Sequence, residues 1–151
     1  MNRVLDATVA GLGLAFASPV RLLPASQLVY SIHDYGRSVV DHSWFSDATY
    51  PRNLRPLWDA AWGYLVEHEY FPVFVGSFGD QGVSPAVRPE YVASDKQWRD
   101  AIVPYMDGLQ LGYALWSLNP SAEGKSGLLQ PDWQTPDPDW SYRLQLNTTF
   151  P

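Results

Sequence analysis

Ser77 lies in the segment of this sequence that is most typical of a chemical role. It follows an apolar run that begins after Pro72 and is enclosed by Gly76 and Gly79. A run bounded in this way is typical of a strand covered on both faces, and the glycines allow a sharp turn and a close approach. We therefore predict that Ser77 is displayed at the carboxyl end of a parallel strand, where α/β barrels carry their chemistry. An ordinary loop would account for the same residues.

His33 and Tyr35 form a second candidate pair, because they alternate at the end of another predicted strand. Both side chains carry functional groups, although a His and a Tyr near a strand end are often ordinary core residues. A Ser77-His33-Asp34 triad is conceivable. However, Asp34 adjoins His33 on a strand, so its side chain is expected on the opposite face, which argues against the triad.

The composition excludes several kinds of function. A net charge of −6 and scattered basic residues argue against nucleic-acid binding, which needs clustered Lys and Arg. The chain has no Cys, so a thiolate nucleophile and a zinc-thiolate site are excluded. His33, His42 and His68 show no ligand-like clustering with carboxylates, so we expect no metal and no cofactor. No apolar stretch is long enough to span a bilayer, so we expect no membrane partner.

The elements predicted around these residues alternate between strands and helices. The predicted strands are 27–32, 72–76 and 113–118, and the predicted helices are 54–69, 95–109 and 138–146. Helix 54–69 carries an apolar stripe of Leu54, Leu57, Trp58, Ala61, Trp62, Leu65 and Val66, which we assign to the core. This order predicts an α/β fold with its chemistry on one face.

Three local signals refine the helices. Ser94 and Gln97 have capping-box spacing and predict a start near Asp95, and Pro104 is expected to bend or shorten that helix. Asp137 is the predicted N-cap of the last helix. Before the first helix, residues 37–53 form a predicted loop whose aromatic residues, such as Trp44, either line a binding wall or pin the loop down.

Residues 1–25 are a poorly defined lead segment of a single domain spanning 1–151. The most we predict there is a degenerate helix followed by a loop through Pro19 and Pro24. Arg3, the small apolar residues 7–17 and Ala15-Phe16-Ala17 mimic a secretory signal, but Asp6 interrupts the pattern.

Several motifs match a known family in order and spacing. They are LVYSIHDYG (28–36), WFSDATYP (44–51), NLRPLWDAAWGYL (53–65), PVFVGSFG (72–79), WSLNP (116–120) and GLLQPDW (127–133). Together, from about Pro19 to Pro136, they resemble the C-terminal part of the cellulases in family 5 of the glycoside hydrolases. The resemblance implies a partial (β/α)8 TIM barrel containing strands 6 to 8, secretion, and action on β-1,4-glucan with retention of configuration.

The resemblance also implies roles for individual residues. Ser77 falls on the nucleophile position of the seventh strand, and His33 and Tyr35 fall on the sixth-strand pair beside it. Trp116 falls on the stacking platform of the eighth strand, with Asn119 in the same motif. Trp44 falls on the leaving-group side of the cleft. These residues are therefore the expected catalytic and substrate-binding set.

Three departures from the family pattern affect this interpretation. The nucleophile position holds Ser77 where the family has Glu, and a serine hydroxyl has neither the carboxylate charge nor the reach for that role. Asp80, three residues on, is expected to point elsewhere. These 151 residues contain no Asn-Glu-Pro motif for the acid/base. Gly124 stands where such cellulases usually have Asp.

Three functions remain open from the sequence. The first is an inactive pseudoenzyme that retains glucan binding, and the second is a non-catalytic glucan-binding or decoy protein. The third is a hydrolase completed by a second chain, and Ser77 argues against it. A three-stranded partial barrel leaves open edges, so we expect self-association, a complementing chain or a collapsed arrangement. Asn147-Thr148-Thr149 is a glycosylation sequon that matters only after secretion in a eukaryote.

Overall fold

The computed structural model of the chain describes residues 3–8, 27–82, 87–120 and 127–144. Within these ranges the strands β1 (Arg3–Thr8), β2 (Leu28–Tyr35), β3 (Val73–Gly79) and β4 (Gly112–Leu115) form one sheet. All neighbouring pairs are parallel, and the order is β1-β2-β3-β4. Consecutive parallel strands with helices between them are the arrangement found along a (β/α)8 barrel.

The first strand corrects the sequence prediction for residues 1–25. Arg3–Thr8 is a strand paired with Leu28–His33, where we predicted no more than a degenerate helix and a loop. The six residues carry no flanking turn signal, so pairing with a neighbour, and not local pattern, determines their conformation. The signal-like residues Ala15-Phe16-Ala17 and the prolines at 19 and 24 lie outside the described residues.

The helices cover the sheet on one side. Helix α1 (Leu54–Trp58), a π-helical turn (Asp59–Gly63) and α2 (Tyr64–Glu67) follow one another without a break. They connect β2 to β3, and helix α3 (Pro89–Gly108) connects β3 to β4. Helix α4 (Pro138–Arg143) follows the last strand. Among the described residues no helix has the length and apolarity needed to cross a membrane.

The apolar stripe of the first helical segment is rotated relative to the prediction. Trp58, Trp62 and Leu65 are buried as expected, but Ala61 is exposed and Gly63 is buried. The π-helical turn accounts for the difference, because its wider ring moves the following residues around the axis relative to an ideal α-helix.

Helix α3 starts six residues earlier than predicted. Pro89 is its first residue, and proline is well suited to that position because its fixed φ matches the helix and it has no N–H to satisfy. Ser94 and Gln97 are therefore inside the helix and form no capping box. Pro104 does not shorten the helix, which continues to Gly108. By contrast, Asp137 caps α4 as predicted, because its Oδ1 accepts the backbone N–H groups of Asp139 and Trp140.

The core lies between the sheet and the helices and is rich in aromatic residues. Phe78 of β3 packs edge-on against Tyr113 (5.4 Å between centroids) and Trp140 (5.8 Å). Trp98 of α3 is fully buried beside them. The other buried apolar residues of this core are Ile32, Phe45, Leu54, Trp58, Trp62, Leu65, Val73, Val75, Ile102, Val103, Tyr105 and Met106.

Two buried carboxyls make the stability of this fold depend on pH. Burial raises the pKa of Asp34 to about 6, against the opposing effect of two indole hydrogen bonds. Burial also raises the pKa of Asp95 to about 6, and the nearby Asp80 charge adds to this, while Ser38 and Arg99 oppose it. Both groups therefore bind protons more tightly in the folded chain than in the unfolded chain.

We predict that the free energy of unfolding falls as pH rises from about 4 to about 6, and that these groups change it no further above that range. For the fully buried Asp95 the change is on the order of 2–3 kcal/mol. Urea unfolding at a series of pH values measures this slope. Asp95→Asn should reduce the slope by about half, because Asp34 still titrates in the same range, whereas Asp100→Asn, which removes an exposed carboxylate of the same helix, should leave it unchanged. A slope that is identical in wild type and Asp95→Asn would contradict the assignment.

Candidate functional site

An irregularity in β3 turns Ser77 towards the face of the sheet opposite the helices. Strand β2 pairs Ile32 with Val75, and the next pair is His33 with Ser77, so Gly76 is an extra residue on β3. The pairing with β4 shifts over the same stretch. Without the extra residue, alternation would point Ser77 to the same side as the buried Val73 and Val75. The bulge places it beside His33.

Glycine leaves room for its neighbours at the bulge. A Cβ on Gly76 would lie 2.2 Å from Ser31 Oγ and 3.3 Å from His33 Nε2. The first distance is shorter than any real contact, so a side chain here would require Ser31 to move.

The structure brings Ser77, Tyr35 and His33 together, as we predicted for residues at the same edge of the sheet. The Tyr35 hydroxyl donates a hydrogen bond of 2.6 Å to Ser77 Oγ. The rings of His33 and Tyr35 lie edge to face, with centroids 6.4 Å apart and an interplanar angle of 85°. Ser77 is 8% exposed, so it is the buried member of this group.

Asp34 lies on the other face of β2 and takes no part in this group. Its Oδ2 accepts the indole N–H of Trp58 (2.7 Å), and its Oδ1 accepts the indole N–H of Trp98 (2.8 Å). Both carboxylate oxygens are therefore occupied on the helix side. A Ser77-His33-Asp34 triad is not formed, in agreement with the alternation of the strand.

Asp80 also faces away from Ser77. Its Oδ2 forms a buried ion pair with Arg99 Nη1 at 2.6 Å, and its Oδ1 accepts the Gly82 backbone N–H. Arg99 reaches Asp139 with its second nitrogen at 3.0 Å. The carboxylate three residues after Ser77 is thus committed to α3 and α4, and it cannot act in place of a nucleophile at position 77.

Trp116 stands at the end of β4 next to this group. Its backbone N–H donates to the Phe78 carbonyl (2.8 Å), and its side chain is 55% exposed. A Cβ on Gly79 would come within 2.4 Å of the Trp116 carbonyl oxygen, so glycine is required for β3 and β4 to approach here. Gly79 in turn pairs with Tyr35. The peptide bond between Trp116 and Ser117 is cis.

Trp44 and Asn119 occupy separate positions. Trp44 lies in a short 3-10 helix (Ser43–Ser46), stacks on His42 at 3.9 Å, and accepts the Asn53 side-chain N–H on its carbonyl. It borders an open depression lined by Ser43, Asp47, Thr49, Arg52, Asn53, Pro56 and Leu57. Asn119 is exposed and accepts a hydrogen bond from the Ser117 hydroxyl. Gly124 lies outside the described residues, as does the sequon at 147–149.

The sequence prediction missed two buried charged residues of α3, Asp95 and Arg99, which lie near the ends of β2 and β3. Asp95 is fully buried on α3 and accepts the Ser38 backbone N–H, and Arg99 is buried one helical turn later. Their i, i+4 spacing on an otherwise apolar helix face was the available signal. In the described parts of the chain no group of three or more His, Asp or Glu is arranged to hold a metal ion.

Comparison with known proteins gives consistent similarities. The sequence model of the family described as Cellulase (glycosyl hydrolase family 5) matches residues 9–122. An endoglucanase of Paenibacillus polymyxa is 38% identical over 117 residues, which cover 78% of this chain and 28% of that protein. The major extracellular endoglucanase of Xanthomonas campestris pv. campestris is 32% identical over 113 residues, covering 74% of this chain and 22% of that protein.

Solved structures match the fold. The catalytic domain of the Xanthomonas campestris pv. campestris endoglucanase superposes with a TM-score of 0.68 at 29% identity, covering 85% of this chain and 35% of that one. A cellotetraose complex of an endocellulase from Pyrococcus horikoshii gives 0.69 at 31% identity, covering 82% and 32%. These likenesses confirm the predicted partial (β/α)8 barrel. The chain spans between a fifth and a third of the length of the curated relatives it matches.

Gly76→Ala tests the bulge. We expect it to destabilise the fold by about 1–3 kcal/mol, because the new methyl group must displace Ser31 and His33. Gly108→Ala is the matched control, since a Cβ there meets nothing within 4 Å at the end of α3. Its free energy of unfolding is expected to be unchanged or slightly higher. Urea unfolding gives both values. Equal stabilities for the two variants would show that β3 does not need glycine at position 76.

Proposed function

The chain belongs to the cellulases of glycosyl hydrolase family 5, and from that premise we propose that its 151 residues bind β-1,4-glucan without hydrolysing it. The observation that carries the proposal is the hydrogen bond from Tyr35 to Ser77 Oγ. Ser77 occupies the position where the family resemblance implies a nucleophilic carboxylate.

A hydroxyl at this position does not support the retaining reaction. Retention needs two carboxyl groups about 5 Å apart, one of which forms a covalent glycosyl intermediate. The nearest carboxylates along the chain, Asp34 and Asp80, are bound to helix residues on the other side of the sheet. No Asn-Glu-Pro motif for the acid/base occurs in the sequence. A second chain could supply an acid/base, but it would not replace the nucleophile at Ser77.

The binding part of the site is retained. Trp116 offers an exposed indole, and the C–H faces of pyranose rings stack on such apolar surfaces. His33 and Tyr35 lie on β2, on the other side of β3 from β4, and can hydrogen-bond sugar hydroxyls at the same edge of the sheet. The Pyrococcus horikoshii endocellulase of similar fold is solved with cellotetraose, which supports a glucan as the ligand. Trp44 and Asn119 remain proposed glucan contacts at the margins of this site. A glucan-binding or decoy role differs from an inactive remnant only in whether binding is the selected function.

Secretion belongs to the same proposal. One relative is described as an extracellular endoglucanase, and an insoluble polysaccharide is accessible only outside the cell. We propose that this chain is likewise secreted.

Titration calorimetry with cellohexaose, beside a reducing-sugar assay on soluble cellulose, tests the function. We expect wild type to bind and to release no sugar, and Ser77→Glu to release none either, because the acid/base is still missing. Trp116→Ala should weaken binding by about tenfold or more, since exposed Trp residues commonly dominate such contacts.

Each alternative result has a distinct meaning. Turnover by wild type would overturn the assignment of Ser77. The absence of both binding and turnover would reject glucan binding. An unchanged affinity in Trp116→Ala would move the site away from β4.

We also propose that the chain self-associates. Within the described sheet β1 and β4 are edge strands, and Phe74 of β3 is 39% exposed on the face away from the helices. Open edges and exposed aromatic surface favour pairing with another copy.

Sedimentation velocity tests this association. A dimer or larger species is expected, and Phe74→Glu should shift it towards monomer because the introduced charge would have to be buried in the interface. Tyr70→Glu, at an exposed position, is the control. A wild-type chain that stays monomeric at high concentration would refute the proposal.

A further inference from the structure

A small hairpin after β4 lies directly against the residues that follow Trp116. Leu128 N–H donates to the Ser117 carbonyl (2.8 Å), and Leu129 N–H donates to the Leu118 carbonyl (3.2 Å). The hairpin closes through an antiparallel bridge between Leu129 and Pro136 and a 2.7 Å bond from Gln130 N–H to the Thr135 carbonyl. Its position is therefore fixed relative to the end of β4.

Asp132 holds the tip of this hairpin in one conformation. Its Oδ1 accepts the backbone N–H groups of Gln134 (3.0 Å) and Thr135 (2.8 Å), and its Oδ2 accepts the Thr135 hydroxyl. These hydrogen bonds lower the pKa of Asp132. The tip is consequently a preformed turn.

Trp133 occupies an unfavourable position on this turn. Its φ is 59°, in the left-handed region that bulky residues rarely adopt, and its backbone N–H donates to the Gln130 carbonyl. Its side chain is 63% exposed. Glycine or asparagine would suit the backbone better and would expose no indole to water. A residue that is unfavourable for both its backbone and its solvation suggests a role in function.

Resting on the glucan binding proposed above, we infer that Trp133 is a second stacking platform for the same glucan chain. Leu118, which is 62% exposed, lies in the segment between Trp116 and the hairpin, so the described surface offers exposed apolar side chains along this route. A neutral polysaccharide suits this surface, because the net charge of −6 would repel an acidic one. The preformed turn means that little conformational entropy is lost when a sugar stacks on it.

Calorimetry with cellotriose and cellohexaose tests the inference on Trp116→Ala, Trp133→Ala and Tyr70→Ala. Tyr70 is an equally exposed aromatic (58%) just before β3, at the opposite end of the sheet from Trp116. We expect Trp133→Ala to weaken cellohexaose binding by about three- to tenfold and to leave cellotriose binding nearly unchanged. Trp116→Ala should weaken both, and Tyr70→Ala neither.

A second variant separates binding from folding. Trp133→Gly should raise the melting temperature, because glycine adopts φ near 59° without strain, and it should lose the same affinity as Trp133→Ala. A loss of affinity together with a gain in stability cannot arise from unfolding.

The outcomes distinguish the two proposals. If Trp116→Ala weakens binding while Trp133→Ala binds both oligosaccharides as wild type does, the second platform is rejected and glucan binding stands. If wild type binds neither sugar, both proposals fail. If Trp133→Ala weakens cellotriose and cellohexaose equally, Trp133 belongs to the same subsite as Trp116 and the extended platform is rejected.

Discussion

Two indole N–H groups from different helices meet on one carboxylate, and this contact holds Asp34 on the helix side of β2. Trp58 and Trp98 each donate to a separate oxygen of Asp34. Hydrogen bonds to an ionised acceptor are stronger than neutral ones, and both lie where water has limited access. Because Asp34 stands between His33 and Tyr35, fixing it on the helix side places both neighbours on the opposite face. The cluster of His33, Tyr35 and Ser77 is thus oriented by a residue that lies outside it.

Buried charged residues also pack against the same end of the sheet. Asp80 and Asp95 lie close to Gly36, where a Cβ would come within 2.6 Å of Asp95 Oδ1 and 2.9 Å of Asp80 Cβ. Arg99 balances part of this negative charge through its pair with Asp80. Buried ion pairs contribute little net stability but are costly to break, so this layer fixes geometry more than it adds stability. The ends of β2 and β3 are therefore joined through α3 as well as through their own hydrogen bonds.

Local pattern was enough to predict the alternating fold and the convergence of His33, Tyr35 and Ser77. Strands with apolar runs and a helix with an apolar stripe are recognisable from spacing alone, and parallel strands bring their carboxyl ends to one edge. The resemblance to family 5 added the identity of the barrel strands, which spacing could not supply. Asp137 as an N-cap was equally local, because its bonds reach only two and three residues ahead.

The features that escaped prediction depend on distant residues. Strand β1 exists through its pairing with β2, and the bulge at Gly76 is defined only by the registers of β2 and β4. Alternation read along β3 alone would have turned Ser77 into the core. The early start of α3 at Pro89 had a local signal, but the capping-box spacing of Ser94 and Gln97 competed with it. The partners of Asp34 lie 24 and 64 residues away, beyond any local pattern.

The short length of β4 has a consequence for the proposed glucan binding. This strand has four residues, lies at the edge of the described sheet, and is continued by the bond from Trp116 N–H to the Phe78 carbonyl. Edge segments with few hydrogen bonds open at lower free energy than the rest of a fold. Whenever β4 detaches, the indole of Trp116 leaves its place above Gly79, and the apparent dissociation constant rises by the inverse of the closed fraction. Glucan bound as proposed would hold β4 closed, so the ligand would stabilise this edge of the sheet more than the strands inside it.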